Sequence, residues 1–165
     1  MARPMKTLGL VLISLLLIRS SFGAETMTDA HPGTDKERVL LWYDAFNRKD
    51  PSLLEQILDP KWLDIPGAQG QPSGPQGARN ALIGLTTAFP DLSVTIAEIL
   101  QDGNKVVVRS MITGTQKGNF LGLPASQRKL SIQAVDIHEL KDGRIVRTWH
   151  TEDWMSGLRQ LGALR

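Results

Sequence analysis

The sequence predicts an α+β fold, a cone-shaped, curved antiparallel sheet packed with three N-terminal helices. Two patterns predict it. Up to residue 90, apolar side chains recur at helical spacing in three segments that caps and prolines delimit. From Leu92 onward, apolar residues alternate or form β-branched runs between turn residues, as in antiparallel strands. Helices gathered on one side of such a sheet leave an apolar throat, which is a natural site for a ligand.

The element boundaries follow from caps and prolines. Thr34 and Glu37 form a capping box ahead of the first helix. Pro51 can occupy the first position of the second helix, and Pro90 stops the third. We expect helices over about 35–48, 51–59 and 75–89, with a short closing helix over 154–164. The expected strands cover 61–65, 92–100, 105–115, 129–140 and 144–152.

The first 23 residues have the layout of a secretory signal peptide. A basic start precedes an apolar run, and Ser21 and Gly23 are small residues at the −3 and −1 positions of a cut before Ala24. The alternative is an uncleaved anchor, but the run is too short to cross about 30 Å of hydrocarbon comfortably. We expect export to the periplasm or beyond, without stable membrane insertion after cleavage. The expected organisation is a signal peptide over 1–23, a flexible lead-in over 24–33 and one domain over 34–165.

Charge and cysteine content exclude several classes of function. The chain has 19 Lys and Arg against 17 Asp and Glu, but the leader contains three basic residues and no acid, which leaves 16 against 17 and a net charge of −1. No basic stripe with interleaved aromatic residues occurs, so we expect no nucleic-acid partner. The absence of cysteine excludes disulfides, thiol nucleophiles and cysteine metal sites.

The last predicted hairpin carries the candidate catalytic residues. A three-residue turn over 141–143 would place Asp136 opposite Thr148 and Ala134 opposite His150. Because side chains alternate across a strand, Asp136 and His150 would share one face as diagonal neighbours. That predicted face comprises Leu130, Ile132, Ala134, Asp136, His138, Val146, Thr148 and His150.

Two histidines and an aspartate on a mostly apolar face suggest acid/base chemistry. Burial would raise the pKa of Asp136, and a neighbouring imidazolium would lower it, so Asp136 could move a proton near neutral pH. His150 would orient Asp136 or bind a developing oxyanion, with His138 as a further helper. The alternatives are a structural Asp–His hydrogen bond between two strands and a His-His-Asp metal site. No ligand spacing demands a metal, and we expect neither metal nor cofactor.

Other side chains are candidates for the pocket wall. The aromatic residues at 42, 43 and 62 either line a cavity or belong to plain core. The glycine-flanked segment around residue 120 is either a lid or a turn, and Asp153 either caps the last helix or completes a polar rim. The candidate pocket residues are Trp42, Tyr43, Trp62, Phe120, Thr148 and Asp153.

The stretch from Phe89 to Gly162 resembles SnoaL-like polyketide cyclases, also called ester cyclases, of the nuclear-transport-factor-2-like superfamily. The helical half from Thr34 is compatible with the same fold. The matching segments are FPDL at 89–92, VVVR at 106–109, GTQKGNFLGLP at 114–124, VDIHELKDGRIV at 135–146 and WHTEDWMSGLRQLG at 149–162.

The resemblance implies a cone-shaped α+β barrel with a hydrophobic pocket. Characterised members close a polyketide ring by intramolecular aldol condensation without metal or cofactor, with an acidic residue as general acid/base. Asp136 matches that carboxylate, while His150 and Asp153 match pocket-side positions. Gln116 stands where many cyclases have histidine after the Gly-Thr pair. Many also have histidine before the tryptophan of the last strand, where this chain has Thr148.

Three functional hypotheses follow. The first is a cofactor-free acid/base enzyme, of cyclase or isomerase type, that acts on a small apolar carbonyl compound. The second is a non-catalytic module that binds a small apolar molecule. The third is an assembly role, in which the outer sheet face with Val135, Ile137 and Trp149 pairs two subunits as a homodimer. A dimer is compatible with all three.

Overall fold

The computed structural model describes residues 33–164, which form four helices and five strands. In chain order these are α1 (Asp35–Arg48), α2 (Ser52–Ile57), β1 (Leu58–Ile65), α3 (Pro75–Ala88), β2 (Ser93–Asp102), β3 (Lys105–Thr115), β4 (Lys129–Lys141), β5 (Arg144–Glu152) and α4 (Trp154–Leu161). The predicted signal peptide, and the lead-in apart from Gly33, lie outside the described residues. Within 33–164, no helix combines the length and the apolar character that a membrane span requires.

All five strands of the described chain belong to one open, curved sheet in the order β1-β5-β4-β3-β2. The predicted α+β fold is confirmed, and β2 to β5 form the expected antiparallel meander. The prediction of a wholly antiparallel sheet is wrong at one edge, where β1 lies parallel to β5. Strands β2, β3 and β4 separate these two partners along the chain, so local patterns do not reveal their relative direction.

The second helix is shorter than predicted. It ends at Ile57, and β1 begins at Leu58 and continues through Pro60. Proline cannot donate to a strand ladder and is therefore tolerated at sheet edges. The helix thus ends before Pro60, and Pro60 is tolerated within β1 because β1 is an edge strand of the sheet.

Helix α1 positions one side of the site. The predicted capping box is present, since the Thr34 amide donates to Glu37 Oε2 at 2.6 Å and the Glu37 amide donates to Thr34 Oγ1 at 3.3 Å. The helix buries Val39, Tyr43 and Phe46 in the hydrophobic core. This face directs the Tyr43 hydroxyl toward β4, 93 residues further along the chain.

The β4–β5 register differs from the predicted one. The turn has two residues, Asp142 and Gly143, both with positive φ (51° and 70°), and Lys141 pairs with Arg144. Asp-Gly suits such a turn because both residues tolerate the left-handed region. A register shift after Glu139 then offsets the pairing.

The observed register brings Asp136 and His150 closer together than the predicted register would. Asp136 lies directly opposite His150, rather than diagonal to it. Ile145 is buried in the core, whereas Val146, which was predicted on the inner face, is half-buried next to the register shift. The predicted alternation along β4 is confirmed, because the even-numbered residues from Leu130 to Leu140 are buried.

The loop between β1 and α3 depends on a glycine. Gly74 has φ of 76°, its amide donates to the Trp62 carbonyl at 2.8 Å, and a Cβ would lie 2.3 Å from the Pro60 carbonyl oxygen.

We expect Gly74→Ala to destabilise the protein by about 3 kcal/mol, because it combines backbone strain with a clash. The matched control is Gly84→Ala in exposed, open space on α3, which should stabilise by about 0.5–1 kcal/mol. Urea unfolding measures both, and equal effects would contradict this account.

Candidate active site

A partly open cavity of about 100 Å³ lies between the helices and the inner face of the sheet. Its apolar wall includes Trp42, Phe46, Trp62, Leu85, Leu92 and Ile112. Its polar lining includes Tyr43, Asp64, Ser110, Asp136, His150 and Glu152. Such a space suits a small, mainly apolar molecule that is oriented by a few polar contacts.

Asp136 lies on β4 with 7% of its surface exposed, and it lines the cavity. The Tyr43 hydroxyl donates to Asp136 Oδ2 at 2.7 Å. No described residue donates to Oδ1. Tyr43 therefore holds one carboxylate oxygen, while the other is available to a molecule in the cavity.

Burial raises the pKa of Asp136 to about 6. The hydrogen bond from Tyr43 opposes this rise, the negative charges of Glu152 and Asp64 add to it, and the positive charge of His150 reduces it. A carboxyl group with this pKa exchanges protons readily near neutral pH. This is the property that a general acid/base requires.

A chain of buried hydrogen bonds supports Tyr43. Trp62 Nε1 donates to Thr148 Oγ1 at 3.0 Å, and Thr148 Oγ1 lies 3.0 Å from His138 Nδ1. His138 Nε2 lies 3.1 Å from the Tyr43 hydroxyl. Burial, together with the positive charge of His150, lowers the pKa of His138 to about 3, so the ring is neutral.

The partners assign the tautomer of His138. Tyr43 gives its proton to Asp136, so its oxygen accepts from His138 Nε2–H, and His138 Nδ1 then accepts from Thr148. Every donor in the chain consequently points toward Asp136. Aligned hydrogen bonds polarise one another, so the chain stabilises the Asp136 carboxylate more than Tyr43 would alone.

His150 belongs to a separate ionic cluster at the rim. Its Nδ1 lies 3.1 Å from both Glu152 carboxylate oxygens, and its Nε2 lies 3.2 Å from Asp64 Oδ1 and 3.0 Å from the Pro66 carbonyl. Hydrogen bonds to Asp64 and Glu152 raise the pKa of His150 to about 11, against the effect of partial burial. His150 is therefore a cation that two carboxylates hold in place.

The structure separates the predicted site residues into three groups: residues that line the cavity, residues behind its wall, and residues away from it. Trp42, Tyr43, Trp62, Asp136 and His150 line the cavity. His138 and Thr148 lie behind its wall in the hydrogen-bond chain. The orienting partner of Asp136 is Tyr43, and no hydrogen bond joins Asp136 to His150 in the described chain.

Phe120 and Asp153 lie away from the cavity lining. Phe120 packs against Phe89 and Trp154, with ring centroids 5.1 and 4.9 Å apart. Asp153 is exposed and caps α4 by accepting from the Ser156 amide at 3.0 Å. The capping alternative for Asp153 is therefore the one observed, because its carboxylate points back over the helix terminus.

Sequence reasoning missed two polar lining residues, Asp64 and Ser110. Asp64 reaches His150 through the parallel β1–β5 pair, which no local pattern indicates. Ser110 is a polar residue at a buried position of β3, between Val108 and Ile112. This break in the apolar pattern is visible in the sequence. Within residues 33–164, no group of three or more His, Asp and Glu side chains is arranged to hold a metal ion.

Tyr43 is the sole tyrosine of the chain, so its ionisation can be followed directly. Burial, together with the negative charge of Asp136, raises the pKa of Tyr43 far above its usual value near 10. We expect no tyrosinate absorbance near 295 nm in the folded protein up to pH 11. The protein unfolded in guanidinium should titrate near pH 10. A folded-state titration near 10 would contradict the buried Tyr43–Asp136 contact.

Comparisons with known proteins agree with this geometry. Residues 37–161 match the family described as SnoaL-like polyketide cyclase. No curated protein matches the chain.

Solved structures show the same fold. TsrD from Streptomyces laurentii is 32% identical, with a TM-score of 0.74 over 78% of this chain and 95% of that one. IdmH from Streptomyces antibioticus, described as a candidate polyketide cyclase, is 28% identical, with a TM-score of 0.68 over 79% and 99%. A candidate polyketide cyclase from Bacillus cereus is 26% identical, with a TM-score of 0.69 over 79% and 82%. The match spans most of the chain and includes every element around the cavity, and the chain belongs to the SnoaL-like polyketide cyclase family.

Proposed function

We propose that this protein is a cofactor-free acid/base enzyme that acts on a small, largely apolar carbonyl compound. The observation that carries the proposal is the arrangement of Asp136, whose side chain lines a largely apolar cavity and whose Oδ2 alone is bound by Tyr43. A carboxylate base in such a place can remove a proton from carbon next to a carbonyl group. Enolisation of this kind is the first step of both isomerisation and aldol ring closure.

The groups around Asp136 suit this role. Aromatic side chains from α1 and β1 exclude water from the reacting carbon, which strengthens electrostatic contacts inside the cavity. Tyr43 is a positioning residue that holds the carboxylate and keeps its pKa from rising further. The His150 cluster supplies a fixed cation at the rim, because His150 remains protonated throughout the neutral range.

Replacing the base tests the proposal. We expect Asp136→Asn to reduce enolisation by about 10²- to 10⁴-fold, because the amide cannot accept the proton. Deuterium exchange at the carbon next to the carbonyl of 1-tetralone, followed by NMR in D₂O, measures the rate. The control is Asp142→Asn in the exposed turn of the same hairpin, which should leave the rate unchanged. Binding without any exchange in the parent protein would instead indicate a non-catalytic binding module.

The same variant should change stability in a pH-dependent way. A pKa of about 6 in the folded state, against 3.8 for the free group, means that ionisation of Asp136 costs about 3 kcal/mol of folding free energy at pH 7.5. This cost is small at pH 4, develops as the pH rises from about 4 to 6, and is nearly complete above pH 6. Asp136→Asn should therefore raise Tm relative to the parent much more at pH 7.5 than at pH 4. An equal difference at both pH values would show that Asp136 is not buried as described.

Removing the Tyr43 hydroxyl tests the support of Asp136. The rate should rise with pH as Asp136 loses its proton, with an acid limb near 6. Tyr43→Phe removes the hydrogen bond that lowers this pKa, so the acid limb should move to higher pH while the rate at high pH is partly retained. The matched control is Thr148→Val, which breaks the buried chain two bonds away from Asp136 and should move the limb much less. Equal shifts for both variants would contradict a direct role of Tyr43.

A further inference from the structure

Ser110 is a buried polar group that the hydrogen-bond chain does not use. It lies near the middle of β3, is 1% exposed, and lines the cavity. Its hydroxyl makes no hydrogen bond to any described residue. Buried hydroxyl groups nearly always have a partner, because an unpaired one costs folding free energy. An unpaired hydroxyl at a cavity wall is therefore available to a bound molecule.

The position of Ser110 relative to Asp136 follows from the sheet register. Ser110 pairs with Ala134, and Asp136 is the next inward-facing residue on β4, paired with Val108. Ser110 and Asp136 are thus diagonal neighbours on one face, with backbones about 7–8 Å apart at Cα. The small side chain of Ala134 directly opposite Ser110 leaves space above this diagonal.

This spacing suits a carbonyl group and its adjacent carbon. A hydroxyl donor contacts a carbonyl oxygen at about 2.7 Å, and the neighbouring C–H bond then lies within reach of a base on the adjoining strand. Hydrogen-bond donors aimed at an oxygen that gains negative charge are among the largest contributors to enzymatic rates, above all where water is excluded. The walls around Ser110 are apolar, including Val94 and Ile112.

We propose that Ser110 is a second catalytic residue, whose hydroxyl donates to the substrate carbonyl oxygen while Asp136 Oδ1 removes the proton from the adjacent carbon. The inference rests on the proposed function. In this step the C–H electron pair becomes the carbon–carbon double bond of the enolate, and the carbonyl π pair moves onto the oxygen that Ser110 binds. The proton remains on Asp136 until it returns to carbon or exchanges with solvent.

The test combines Ser110→Ala with removal of the ligand oxygen. Parent and variant are compared for binding of 1-tetralone and of tetralin, which lacks the carbonyl oxygen, and for deuterium exchange of 1-tetralone. The control is Ser131→Ala, an exposed serine on the outer face of β4. We expect Ser110→Ala to weaken 1-tetralone binding about 3- to 10-fold, leave tetralin binding unchanged, and slow exchange by about 10²-fold.

Thermal unfolding of the unliganded proteins is an independent measurement. Because the Ser110 hydroxyl has no partner among the described residues, Ser110→Ala should raise Tm, whereas Ser131→Ala should leave it unchanged. A lower Tm for Ser110→Ala, or equal weakening of 1-tetralone and tetralin binding, would overturn the inference by showing a structural role. A failure of the proposed function would give a different result. The Asp136→Asn variant would then catalyse deuterium exchange of 1-tetralone at the parent rate, whatever effect Ser110→Ala has on binding of the ketone.

Discussion

The hydrogen bond from Tyr43 to Asp136 is the contact on which the site depends. It joins α1 to β4 across 93 residues of sequence and occupies one of the two carboxylate oxygens. The bond can be strong because Tyr43 itself accepts from a neutral histidine, whose other nitrogen accepts from Thr148. Without that chain, a buried phenol and a buried carboxyl group would each bear a larger desolvation penalty. The fold therefore stabilises the base through Tyr43 in the cavity wall and through His138 and Thr148, which lie behind that wall.

At the rim of the cavity, in contrast to the buried hydrogen-bond chain, fully charged side chains are paired close to solvent. His150 is held between Asp64 and Glu152 from β1 and β5, so its cation is fixed in position and in charge. The two carboxylates raise the pKa of Asp136, whereas the imidazolium lowers it. Because these effects oppose one another, the pKa of Asp136 is set mainly by burial and by Tyr43. A pH change within the neutral range therefore titrates Asp136 while His150 remains protonated.

Sequence patterns were sufficient for the helices, the four-strand meander and the shared inner face of Asp136 and His150. Those features depend on local periodicity and on turn residues, which a single sequence displays. The β4–β5 register was wrong because Asp-Gly permits a two-residue turn and the register shift after Glu139 leaves no sequence signal. Asp64 and the partnership of Tyr43 with Asp136 were missed because both depend on non-local packing. Ser110 was readable as a polar interruption in a buried strand, but an interruption alone does not reveal a cavity.

The distribution of satisfied polar groups distinguishes the wall from its surroundings. Behind the wall, the side chains of Thr148 and His138 both have partners in the described structure, and so does the indole nitrogen of Trp62 in the wall itself. Facing the cavity, the Ser110 hydroxyl has no partner among these residues, and the hydrogen bond that they make to the Asp136 carboxylate goes to Oδ2 rather than Oδ1. A core selected for stability alone would replace such groups by apolar ones, since unpaired buried polar atoms are costly. Their position on adjacent strands of one cavity is therefore best explained by contacts made to a bound molecule, which would supply an oxygen to one and a proton to the other.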